Sequence, residues 1–142
     1  MATLTVTIKE ELILNGKDVG CTNVATYGAT EVYHRIVTIT NTEKSILLFG
    51  AAVEGGTIKD AQLDYLRITN LDASNSIQLR IRNASEEFMV QVDAEGSFIL
   101  TDDKLDADAT GSDETTSLVQ IDSIKAISST STSLIEIFAA SA

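Results

Sequence analysis

His34 is the single histidine of the chain, so any imidazole-assisted nucleophile would have to use it. It stands in VYHRIVTIT between Tyr33 and Arg35, and no G-x-S-x-G elbow or other nucleophile signature accompanies it. Because it shares parity with Val32 and Ile36, it reads as a packed or hydrogen-bonded sheet residue. Gly50, Gly55 and Gly56 lack the lysine and the spacing of a phosphate-binding loop. Paired carboxylates for glycoside chemistry need a set separation in a cleft, and the abundance of Asp and Glu nominates no such pair. These residues define no catalytic or cofactor-binding site. The expectation is a protein that is not an enzyme and carries no cofactor.

The acidic stretch TDDKLDADATGSDE, with its loop running from Asp102 to Glu114, is the best candidate for a metal. Asp106, Asp108 and Thr110, followed by Gly111, match the opening of a calcium loop: oxygen ligands at alternate positions, then a turn glycine. The twelfth place, where a bidentate glutamate belongs, is Ser117. The plainer reading is a solvated loop extended by like-charge repulsion, and no metal site is assigned.

The cations are more informative. Three of the four arginines, Arg67, Arg80 and Arg82, fall in YLRITNLDASNSIQLRIRN within a chain of net charge −11. Residues 65–69 and 77–82 read as two strands joined by NLDASNS, a loop rich in side chains that bond their own backbone. The two strands are expected to pair as a hairpin, with Leu66, Ile68, Ile77, Leu79 and Ile81 facing the core. Arg67, Gln78, Arg80 and Arg82 then share the outward face. That stripe would be met by carboxylates of the same chain, such as Glu86, Glu87 or the acidic loop. The alternative is docking on an acidic patch of a partner subunit, through paired guanidinium hydrogen bonds.

The elements that position these groups are strands. Period-two alternation dominates, as in residues 3–14, where Leu4, Val6, Ile8, Leu12 and Leu14 share one parity. This is one long strand, or two with a bulge near Glu10, ending at the turn signal Asn15-Gly16. Residues 18–27 return from it. Further strands are expected at 32–40, 46–49, 65–69, 77–82, 88–92, 97–101, 118–127 and 134–139. Helical turns are conceivable only at 60–64 and 102–109. About ten short strands without intervening helices predict an all-β fold: a single antiparallel β-sandwich, jelly-roll-like, spanning residues 1–142.

Composition agrees with one domain. The chain has 142 residues, 44% hydrophobic and 22% charged, with no proline and no tryptophan. Proline removes a ladder donor, so its absence suits paired strands. Cys21, the sole cysteine, reads as a small buried side chain and excludes an internal disulfide. The opening MATLTVTIKEE shows no signal-peptide pattern, and no apolar run reaches a membrane span. Strong negative charge predicts no nucleic-acid and no anionic-membrane partner, because each phosphate contact needs a cation. The sequon Asn83-Ala84-Ser85 reads as coincidental without a secretion signal. Sparse aromatics weaken a glycan-binding face, and a cupin-like enzyme would need several histidines.

Four stretches together resemble small virion structural proteins of marine tailed bacteriophages, short-tailed and cyanophage-like. They are TLTVTIKEELILNG, VYHRIVTI, YLRITNLDASNSIQLRI with the following SFIL, and LIEIFAAS. The resemblance implies a capsid decoration or cement protein on the outer capsid surface, made in the host cytoplasm. It also implies partners among the major capsid protein and other virion subunits, and a homo-oligomer, for example a trimer. The alternative is an adhesion module of a tail or fibre that recognises host-surface glycan, which exposed Tyr27, Tyr33 or Tyr65 would support.

Overall fold

The computed structural model describes residues 2–50, 56–59, 62–84, 86–105 and 118–142. The candidate calcium ligands Asp106, Asp108 and Thr110, the glycines Gly55 and Gly111, and Ser85 of the sequon lie outside the described residues.

Alternating β-branched and polar residues form strands along nearly the whole described chain. In order these are β1 (Ala2–Lys9), β2 (Ile13–Leu14), β3 (Lys17–Asp18), β4 (Thr22–Ala29) and β5 (Glu31–Thr40). They continue as β6 (Lys44–Gly50), β7 (Thr57–Lys59), β8 (Leu63–Asn70), β9 (Ile77–Arg82) and β10 (Glu87–Val92). The last five are β11 (Ser97–Leu100), β12 (Lys104–Leu105), β13 (Val119–Gln120), β14 (Ser123–Ser128) and β15 (Thr132–Ser141). The protein is all-β, as expected. Leu63 and Asp64 belong to β8, so no helical turn forms there. Half of the polar SSTSTS segment, residues 128–133, lies in strands, β14 running to Ser128 and β15 starting at Thr132.

Two sheets face each other. One has the order β11-β8-β15-β5, the other β10-β9-β14-β6-β7. The long strands pair in nested fashion, β5 with β15, β6 with β14, β8 with β11 and β9 with β10. This nesting is the jelly-roll arrangement, a β-sandwich in which successive strands change sheets. Only β7 departs from the antiparallel pattern, lying parallel to β6.

The core fills the gap between the sheets. Ile39, Leu66, Ile68, Ile135 and Ile137 from one sheet meet Ile46, Leu47, Ile77, Leu79, Ile81 and Ile124 from the other. Most of these carry branched aliphatic side chains suited to a pleated surface.

The same topology corrects the arginine hairpin. β8 and β9 do not pair; they lie in opposite sheets. The parity was right, since Leu66, Ile68, Ile77, Leu79 and Ile81 all face the core, but they face it from opposite sides. The connecting loop makes this crossing possible. Asn70, fully buried, donates through Nδ2 to the carbonyls of Asn75 (2.7 Å), Asp93 (3.0 Å) and Val92 (3.4 Å). Its Oδ1 accepts from the backbone amide of Asp72 at 3.1 Å. Asp72 in turn accepts from the amides of Ser74 and Asn75 and from the Asn75 side chain. Those bonds hold its carboxyl well below the usual range, at about 2. A loop so anchored turns the chain across the sandwich rather than back along one sheet.

Residues 2–29 form a separate two-stranded ribbon. β1 pairs with β4 over eight residues, from Ala2 opposite Ala29 to Lys9 opposite Thr22. The ladder is interrupted near Glu10 and resumes as the β2–β3 hairpin, closed by Asn15 (φ 51°) and Gly16 (φ 78°). The left-handed pair is the turn that Asn-Gly favours. At the interruption the Glu10 amide donates to the Cys21 carbonyl (2.8 Å), and a Cβ on Gly20 would stand 1.9 Å from the Glu10 carbonyl oxygen. Gly20 is therefore required for the two strands to approach.

Candidate interaction face

Strand parity gives the β11-β8-β15-β5 sheet an outer face built from Ile99, Arg67, Glu136, Phe138, His34 and Ile36, among others. One end of it is covered by the ribbon. Tyr65 is only 6% exposed although it points away from the core, because Tyr27 of β4 packs on it with ring centroids 6.0 Å apart. Phe138 continues the stack, 6.2 Å from Tyr65 and 6.0 Å from the ring of His34. Burial beneath the ribbon pushes the Tyr65 hydroxyl pKa up.

Beyond His34 nothing in the described chain covers the face. Ile36 is 59% exposed and Leu134 47%, with Ile99 also exposed. At the centre Glu136 bridges two side chains: its Oε1 lies 2.9 Å from His34 Nε2, and its Oε2 accepts from Arg67 Nη2 at 2.6 Å. Both carboxylate oxygens and one imidazole nitrogen are engaged on an open sheet surface. Glu136 was not singled out from the sequence. The available signal was its parity in LIEIFA, a lone charge on the side of Leu134 and Phe138.

The predicted docking residues are thereby separated. Arg67 lies on this face, whereas Gln78, Arg80 and Arg82 lie on the outer face of the other sheet, so the four do not form one stripe. Arg67 is paired with Glu136. Arg80 Nε donates to Glu43 at 2.7 Å, and its Nη1 to Glu87. Glu43 also receives Lys125 at 3.3 Å. Partial burial works against ionisation of Glu43, but the bonds and charges of Arg80 and Lys125 outweigh it and hold its pKa below normal. For Arg67 and Arg80 the carboxylates thus come from within the chain, Glu87 among them as anticipated.

Two other candidates resolve simply. Cys21 is exposed, not buried, because it sits on the uncovered part of the ribbon. Its Sγ donates to Glu10 Oε2 at 3.0 Å, and that bond, with the Glu10 charge, pushes the thiol pKa up. Glu10→Gln should therefore speed alkylation of Cys21 at neutral pH several-fold, measured by iodoacetamide mass labelling; an unchanged rate would show that the bond does not form in solution. Near β12, a cavity of about 420 Å³ is lined by Asp64, Asp102, Asp103 and Lys104. Asp103 there accepts from Gln120 Nε2 at 3.0 Å. Among the described residues no three His, Cys, Asp or Glu side chains converge to hold a metal.

No known protein family matches the chain, and no curated protein does. One solved structure does match. It is the QdtA 3,4-ketoisomerase from Thermoanaerobacterium thermosaccharolyticum, a double mutant in complex with TDP. The match is 8% identical, covers 96% of this chain and 79% of that one, and has a TM-score of 0.41. The likeness extends to a β-rich fold and lends this chain no activity. The expectation of a capsid decoration protein or a tail adhesion module is not borne out, since the solved structure that matches is a ketoisomerase. The adhesion alternative also fails its own condition, since Tyr65 is buried and Tyr27 and Tyr33 are half-buried.

Proposed function

We propose that the protein is a non-catalytic protein-interaction module that forms a homo-oligomer through the outer face of the β11-β8-β15-β5 sheet. The observation that carries this reading is the character of that face. In a chain of net charge −11, its charges between Thr69 and His34 are Arg67 and Glu136, which cancel in a direct bond of 2.6 Å. Around them stand exposed Ile36, Leu134 and Ile99. A neutral apolar patch on an otherwise acidic surface is where two such chains can approach without repulsion.

The double variant Ile36→Glu/Leu134→Glu tests the reading by sedimentation velocity. Wild-type protein is expected to sediment as an oligomer and the variant as a monomer. The stability cost should stay within about 1 kcal/mol, since both side chains are exposed. An oligomer that survives the substitution would overturn the proposal.

A further inference from the structure

The ribbon supplies what the open half of this face lacks. Its base already binds the other half: Tyr27 lies on Tyr65, and Ala29 and Ala140 are buried beside them. Towards its end the ribbon has no cover in its own chain. Ile8, Leu12, Leu14 and Val19 are exposed, and Ile13 is 68% exposed. A two-stranded ribbon without a hydrophobic support is marginally stable in water, so these side chains gain from a surface to lie on. Charge selects the same contact. Residues 2–29 carry Lys9 and Lys17 against Glu10, Glu11 and Asp18, a net −1, while the remaining chain carries −10. The ribbon is thus the nearly neutral part of an acidic molecule, and the sheet face it would meet is neutral as well.

We infer that the ribbon tip of one copy lies across the uncovered half of the outer sheet face of a second copy, with Leu12, Leu14 and Val19, which share one face of the ribbon, against Ile36 and Leu134. The occupant of the face is therefore a second copy of this chain, and the contact continues the ribbon-on-sheet packing that each copy already makes at Tyr65. The inference rests on the proposed oligomeric function and specifies which element fills the face.

Two full-length variants separate the inference from that reading. Leu12→Ser/Leu14→Ser keeps the sheet face and removes the apolar tip; Ile36→Glu/Leu134→Glu does the reverse. Each alone should weaken association at least tenfold by sedimentation. Mixed in equal amounts they should form a heterodimer, because one tip and one face remain. Oligomers that withstand the tip substitution but not the face substitution would overturn the inference and leave the reading standing. Oligomers indifferent to the face substitution, or wild-type protein that stays monomeric, would overturn both. The native thiol gives a second readout, since Cys21 lies on the uncovered ribbon. With Thr38→Cys on the sheet face, a short bis-maleimide should yield a covalent dimer on a denaturing gel. The Cys21→Ser/Thr38→Cys control should not. Equal yields in both would overturn the inference.

Discussion

Asn70→Ala should destabilise the protein by about 3 kcal/mol and lower Tm by roughly 10 °C, because buried polar groups left unpaired each cost about 1–3 kcal/mol. The carbonyls of Asn75, Asp93 and Val92 lose a shared donor, and the Asp72 amide loses its acceptor. Asn70 also sits at the crossing between the sheets, where β8 ends and the chain turns towards β9. The effect should therefore spread to both strands. Hydrogen exchange at Ile77 and Thr69 is expected to rise together, with denaturant unfolding supplying the magnitude. A loss below about 1 kcal/mol would mean that water replaces the amide and that the loop is not held by this side chain.

Ile137→Ala is the second large effect, with an expected loss of about 4 kcal/mol for a fully buried aliphatic side chain whose neighbours cannot collapse onto the gap. Ile137 is fully buried on the inner side of β15, opposite Ile68 in the register of the sheet. Leu134→Ala, three residues earlier on the same strand, should cost no more than about 0.5 kcal/mol in a dilute monomer because Leu134 is exposed. The contrast between the two is the measurement that matters. Similar losses from both, in parallel urea titrations, would overturn the assignment of inner and outer faces to β15.

Local periodicity determined much of this protein. It located the strands, placed Ile68, Leu79 and Ile81 inward and Arg67, Arg80 and Arg82 outward, and put a tight turn at Asn15-Gly16, where both residues adopt positive φ. Those outcomes depend on the two-residue pleat and on backbone preferences that neighbouring residues impose, so they can be read from short stretches. Tertiary structure alone decided which sheet each strand joins. Alternation shows which side chains of one strand share a face, but it is identical for a strand that pairs with its successor and one that crosses the sandwich. The crossing at Asn70 depends on carbonyls at Val92 and Asp93, more than twenty residues away. It divided the expected arginine stripe between two outer faces.

Burial followed the same rule. Leu12 and Leu14 alternate as regularly as Leu66 and Ile68, yet the first pair is exposed and the second buried. Apolar pattern prepares a face, and only the arrangement of the whole chain determines whether anything covers it. For the ribbon tip nothing in the described chain does, and that is a property of the fold rather than of the residues.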